Sequence, residues 1–276
     1  MSRLLHEQTC APARSCWRGF LSAIFAGFWG VFFTNVALAD PLPDLIERLS
    51  PSVVGVGAAY PLRQPTKGRP PRRLMGTGFA VTHQGKSLIV TNDHVIPTDL
   101  DSEGREQIAV FSGRGKRARQ HFAMVLRRDP QHDLALLEYE GERLPSMQLA
   151  KAELLRAGES VAFTGFPIGA VLGLYPSTHA GIIAAITPVA RAVDRGRELS
   201  AVQLRRMRNP FDVYQMDAIA YPGNSGSAVY LVETGEVIGV INSVFVKESR
   251  ESLLSNPSAI AYAIPVVHLH ELLKGL

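Results

Sequence analysis

From Gly76 onward, short runs of apolar, β-branched and aromatic residues alternate with turn signals, and no long amphipathic helix separates them. Runs at 79–81, 88–91, 108–111, 123–126, 134–139 and 160–163 make one series, and 181–186, 214–217, 228–232, 237–241 and 261–264 make a second. An entry strand begins at Val53-Val54-Gly55-Val56. Many short strands without intervening helices can bury their apolar faces only as a sandwich or a barrel, so the fold class is all-β. Two short helices are expected to flank the strands. One covers 41–49, where Leu42, Leu45, Ile46 and Leu49 recur at helical spacing before Pro51. The other covers 265–274, with Val266, Val267, Leu269, Leu272 and Leu273. A break between two β halves is expected near 144–158. Residues 60–73 carry five Pro or Gly and five basic residues, the composition of an exposed loop. The stretch 187–212 holds six arginines interrupted by Asp194, Glu198 and Asp212, which reads as a solvated surface loop with some helix.

The first forty residues follow other rules. Arg3, Arg14 and Arg18 precede an apolar run at 19–33 broken only by Ser22, and Ala37-Leu38-Ala39 offers a small-x-small cleavage site before Asp40. This order of features predicts a secretory signal peptide over 1–39 and a mature domain over 40–276. The competing reading is an uncleaved anchor over 20–39, just long enough to span a bilayer. Either one places the domain outside the cytoplasm, in the periplasm or beyond. Both cysteines, Cys10 and Cys16, fall in the leader, so the mature domain is expected to hold together without disulfides or a cysteine-based metal site. Removing the leader takes the formal charge from +4 to +2, so the basic pI of 9.2 is partly a leader effect and points to no nucleic-acid partner.

Pro222-Gly223-Asn224-Ser225-Gly226-Ser227 stands between two apolar strands. A serine nucleophile needs its hydroxyl on a tight turn, with backbone N–H groups nearby for the developing oxyanion. It also needs a base. His94 follows the run Leu88-Ile89-Val90-Thr91, where a buried strand ends, and Asp133 stands immediately before Leu134-Ala135-Leu136-Leu137. A carboxylate there can fix the tautomer of the imidazole. Asp129 and Asp93 are the local competitors. Pro130 follows Asp129, and Asp93 adjoins His94 in sequence, where neighbouring strand residues face opposite ways. His268, His270 and Glu271 offer metal-binding residue types, but positions two apart do not share a helix face, so they read as polar surface and no metal is expected.

The order His, Asp, Ser is that of the chymotrypsin-type triad. The chain resembles the protease domain of the HtrA/DegP family of trypsin-like serine proteases. The resemblance runs through Ser50-Pro51-Ser52-Val53-Val54, Gly76-Thr77-Gly78-Phe79, Val90-Thr91-Asn92-Asp93-His94-Val95, Asp133-Leu134-Ala135-Leu136-Leu137 and Gly165-Phe166-Pro167-Ile168-Gly169. It continues through Gln215-Met216-Asp217-Ala218, Gly223-Asn224-Ser225-Gly226, Gly235-Glu236-Val237-Ile238-Gly239-Val240 and Ala261-Tyr262-Ala263-Ile264-Pro265. It implies a trypsin-like double β-barrel and an acyl-enzyme mechanism. Ser225 would be the nucleophile, His94 the base, Asp133 its orienting partner, and the backbone N–H groups of Gly223 and Ser225 the oxyanion hole. No cofactor is implied. Partners would be polypeptide substrates, unfolded or damaged proteins in particular, and a homo-oligomer remains open.

Two departures matter. Ser227 stands where these proteases usually carry a glycine, as in glutamyl endopeptidases related to V8 protease. The dozen or so residues after Ile264 are too few for a PDZ domain, so regulation is expected from the loops at 60–75 and 187–212 or from a partner. Ile219 occupies the position six before Ser225 where a tryptic enzyme needs an acid. The substrate pocket is therefore expected to be walled by Ile219, Ile241, Asn242, Ser243 and Val244 and to take an apolar or small P1 side chain. The alternative to an enzyme is a catalytically silent protease-fold protein that holds unfolded chains.

Overall fold

Where the chain turns from helix to strand, Pro51 removes a backbone donor. Helix α1 (Pro41–Leu49) ends there in a single 3-10 turn, Ser50–Ser52. The computed structural model describes residues 41–61, 70–167, 174–189, 208–242 and 260–276. Among the described residues, twelve strands follow α1. β1 (Val53–Ala59), β2 (Arg72–His83), β3 (Lys86–Thr91), β4 (Gln107–Ser112), β5 (Arg119–Asp129) and β6 (Leu134–Tyr139) close a barrel in the order β1-β2-β3-β6-β5-β4. β7 (Ser160–Gly165), β8 (Ser177–Pro188), β9 (Asp212–Asp217), β10 (Ala228–Leu231), β11 (Val237–Ile241) and β12 (Ile260–Pro265) close a second one, in the order β7-β8-β9-β12-β11-β10. Helix α2 (Val266–Lys274) completes the fold. Closure leaves neither sheet with a free edge.

Every expected strand is present, and several are longer than their apolar runs. β2 reaches back to Arg72, because β1 pairs with residues that have no strand pattern of their own, Gly57 with Leu74 and Ala59 with Arg72. β5 extends to Arg119 and Asp129 for the same reason, recruited by β4 and β6. Tertiary pairing overrides local propensity at these ends.

The apolar runs are continuous rather than alternating because the central strands are covered on both faces. In β6, Ala135 and Leu137 pack inside the first barrel with Val54, Val56, Ile89 and Val110. Leu134 and Leu136 face the other way, into a cluster with Phe79, Val81, Leu88 and Val90 of the same barrel and Ala162, Tyr230, Val240 and Ile264 of the second. This seam also receives Leu45 and Leu49 from α1 and Leu269, Leu272 and Leu273 from α2, so both helices brace the joint between the barrels. The second barrel is filled by Phe163, Ile183, Tyr214, Met216, Val229 and Ile238. Between β6 and β7 the connector is stitched to both barrels, Met147 N–H to the Ala80 carbonyl at 2.9 Å and Ala150 N–H to that of Val237 at 2.9 Å.

Candidate active site

The register of the first barrel brings histidine and aspartate together. β3 and β6 are antiparallel with Thr91 opposite Ala135, so residues just past β3 meet those just before β6. The Asp133 carbonyl accepts the Asp93 N–H at 3.2 Å and the Asn92 side-chain amide at 2.9 Å. His94 lies in the 3-10 turn Asp93–Val95. Its backbone N–H donates to Asp133 Oδ1 at 2.9 Å, and its ring Nδ1–H donates to Oδ2 at 2.6 Å. Asp133 adopts a left-handed φ of 57°, which aspartate tolerates better than most residues and which turns its carboxylate back over His94. That carboxylate is buried, and Asn242 Nδ2–H, from just beyond β11, donates to Oδ2 at 2.6 Å. Three N–H groups thus hold a buried charge, with the geometry that makes such burial tolerable. With Nδ1 carrying the proton, Nε2 is left as the basic nitrogen of a ring that is 33% exposed.

The serine turn is fixed from the other barrel. Asn224 N–H donates to the Tyr221 carbonyl, and Ser227 N–H to that of Asn224, each at 3.0 Å. The second bond orients the peptide plane whose far end is the Ser225 N–H. Thr77 of β2 then locks the turn onto the first barrel. Its backbone N–H meets the Ser225 carbonyl at 2.8 Å, and its hydroxyl donates to the Gly223 carbonyl at 2.7 Å while accepting from Phe166 N–H at 3.0 Å. Beside it, Gly76 has no room for a side chain. A Cβ there would stand 2.9 Å from the Ser225 carbonyl oxygen and 2.8 Å from Val95, the residue after His94. Gly76 is therefore where the histidine turn and the serine turn approach each other.

The competing carboxylates are engaged elsewhere. Asp93 is paired with Arg128. Asp129 accepts from His132 Nδ1–H at 2.6 Å. Burial alone would raise the Asp129 carboxyl, but hydrogen bonds from the His132 ring, the His132 N–H and the Gln131 N–H hold it below its ordinary value. Ile219 is half-buried. Two of the expected pocket residues point elsewhere: the Ile241 side chain is wholly inside the second barrel, and Asn242 spends its amide on Asp133. Ser243 and Val244 lie outside the described residues. Sequence reasoning gave Thr77 no role and gave Asn242 a place in the pocket wall, whereas Thr77 bridges the two turns and Asn242 holds Asp133. Thr77 carries only a weak signal, a hydroxyl between two glycines, and Asn242 is an amide directly following a buried strand.

His268 and His270 are not the polar surface expected of them. His270 Nε2–H donates to the Ala150 carbonyl at 2.8 Å. His268 stacks on His132 with ring centroids 3.9 Å apart, and Phe211 packs edge-on against both. Burial, followed by the neighbouring His132, lowers the His268 pKa from 6.5 to about 4, against the opposing pull of Asp129 and Glu271. A histidine kept neutral by the fold but protonated in the unfolded chain favours unfolding across the window between those two values. Stability should therefore fall as pH drops from 6.5 toward 4 and gain no further penalty from His268 below that. Thermal melts across this range should show the slope in wild type and a shallower one in His268→Phe. Equal slopes would remove His268 from the account.

Two closed six-stranded antiparallel barrels, with a buried aspartate bonded to a histidine on one and a clamped serine turn on the other, define the trypsin-like double-barrel fold. The family model described as the trypsin-like peptidase domain matches residues 76–240, and the chain belongs to that family. A probable periplasmic serine endoprotease, DegP-like, from Ectopseudomonas mendocina is 28% identical over 275 residues, covering 86% of this chain and 49% of that protein. The serine protease HTRA3 of Homo sapiens is 31% identical over 225 residues, covering 81% of this chain and 42% of that one. Among solved structures, an HtrA-type protease with a tripeptide aligns at a TM-score of 0.57 and 25% identity, covering 85% of this chain and 62% of the other. Deg5 aligns at a TM-score of 0.56 and 25% identity, covering 84% of this chain and 91% of the other. The chain thus spans half or less of the length of these curated relatives.

Proposed function

We propose that this chain is an exported serine endopeptidase that cleaves unfolded or damaged polypeptides through an acyl-enzyme. The observation that carries the reading is the 2.6 Å bond from His94 to a buried Asp133 that two further N–H groups hold in place. Holding the proton on Nδ1 keeps Nε2 available to take the proton of Ser225 as its oxygen attacks the scissile carbonyl. The imidazolium that forms is stabilised by Asp133 and returns the proton to the leaving amine. Water, activated by the same ring, then releases the acyl group. The N–H groups of Gly223 and Ser225 are the assigned oxyanion donors, worth about 3–4 kcal/mol each in such sites.

Export rests on the leader at 1–39, ahead of a domain over 40–276, and on relatives named as periplasmic; the periplasm or the medium is the assigned destination. The P1 subsite is assigned an apolar wall that includes Ile219 and disfavours Lys and Arg. The decisive experiment is labelling by a fluorophosphonate together with digestion of an unfolded model protein. Wild type should do both, and Ser225→Ala should do neither while remaining folded. Digestion that persists in Ser225→Ala would assign the activity elsewhere, and a wild type that binds unfolded protein without labelling or cutting would make the chain a holder.

A further inference from the structure

β8 alternates. Ala180 and Ile182 face outward, whereas Ile183 is wholly buried in the second barrel, and His179 shares the inward face of Ile183. The imidazole stacks on Phe163 with centroids 5.1 Å apart and leans against Tyr221 at 5.8 Å. Its Nε2 is buried without a hydrogen-bond partner. A ring nitrogen in that position costs stability unless something completes it, and buried polar atoms left open are found at sites that a ligand fills.

Chain geometry places it beside the segment that leads to Ser225. Ile182 pairs with Asp217, and Gly181 packs so closely on the Asp217 carbonyl and Ala218 that no side chain would fit there. The chain leaving β9 therefore runs back along β8 toward His179, and the segment 218–221 passes over it before turning into Ser225. Ile219, the assigned wall of the P1 subsite, lies on this segment, and the Tyr221 ring that touches His179 belongs to the residue whose carbonyl receives Asn224 N–H at 3.0 Å.

We infer that His179 forms the polar end of the P1 subsite, selecting from apolar-stemmed side chains the one that ends in a primary carboxamide, glutamine. This rests on the endopeptidase reading above. Burial lowers the His179 pKa, so the ring is neutral at neutral pH, one nitrogen a donor and the other an acceptor. A carboxamide carries both a donor and an acceptor and completes the ring in either tautomer. Methionine, of similar length and shape, leaves the nitrogen open.

The test is a set of otherwise identical peptides with Gln, Met, Leu or Lys at P1, with kcat/KM referred to active sites titrated by fluorophosphonate. Wild type should favour Gln over Met by about tenfold, the value of one completed buried hydrogen bond. His179→Leu should bring that ratio, referred to the variant's own titre, to one or below. A wild-type ratio of one or less overturns the inference, and this holds even if the variant fails to fold. So does a ratio that His179→Leu leaves unchanged. If wild type neither labels nor cleaves any peptide, including the Leu one, the endopeptidase reading itself fails and the inference with it.

Discussion

Asp133→Asn should lower kcat by about 10⁴-fold while leaving the protein folded. Asparagine accepts the same left-handed backbone, so the φ of 57° gives no reason for the turn to rearrange. The carboxamide has the size of the carboxylate and keeps one acceptor oxygen. What it cannot do is accept from all three donors now gathered on the carboxylate, the His94 N–H, the His94 Nδ1–H and the Asn242 amide. An –NH₂ placed against the imidazole drives its proton to Nε2, the nitrogen that the proposed mechanism needs free as a base. It also removes the charge that stabilises the imidazolium. Steady-state kinetics on a peptide substrate, with thermal melts as control, would measure this. A variant within tenfold of wild type would mean that Asp133 is not the orienting group. A collapse in Tm would mean that its role is structural.

The fold was legible because the runs that name its strands are apolar on both faces, a consequence of two barrels sharing a seam. Leu134-Ala135-Leu136-Leu137 reads as strand from composition alone, since Leu134 and Leu136 fill the seam while Ala135 and Leu137 fill the barrel. The ends of β2, β5 and β8 were not legible, because their polar residues become strand only through a neighbour's hydrogen bonds. Within the site, His94 and Asp133 could be picked out because each sits at the boundary of such a run. The side-chain directions around them could not. Asn242 and Ile241 are consecutive at the end of β11, so one must face the barrel core and the other away from it, and only coordinates say which. Nor does any local pattern pair His132 in one barrel with His268 on the terminal helix, a contact made across 136 positions of chain.

The seam also makes the serine turn unusually intolerant of a single methyl group. Gly226→Ala should destabilise the protein by about 3 kcal/mol or more and abolish hydrolysis, a larger effect than losing one hydrogen bond. Gly226 has a φ of 88°, a conformation that costs any residue with a Cβ. An added Cβ would also collide with the Thr77 carbonyl oxygen and press on the Thr91 hydroxyl, which itself donates to that carbonyl at 2.7 Å. Neither obstacle is the yielding end of a long side chain. Thr77 is held by the Ser225 carbonyl, the Gly223 carbonyl and Phe166, so a displacement of Thr77 is felt at both carbonyls that orient the turn. Relief by moving Gly226 instead breaks its own N–H bond to the Ile241 carbonyl at 3.0 Å, beside Asn242 and hence beside Asp133. Either way strain reaches Ser225 or Asp133, the proposed nucleophile and its proposed orienting carboxylate. The comparison that separates strain from mere loss of contact is Thr77→Val, which deletes the hydroxyl bridge but introduces no clash. It should retain fluorophosphonate labelling at a reduced rate, with a smaller fall in Tm than Gly226→Ala. Wild-type stability and labelling in Gly226→Ala would show that the turn is not clamped as described.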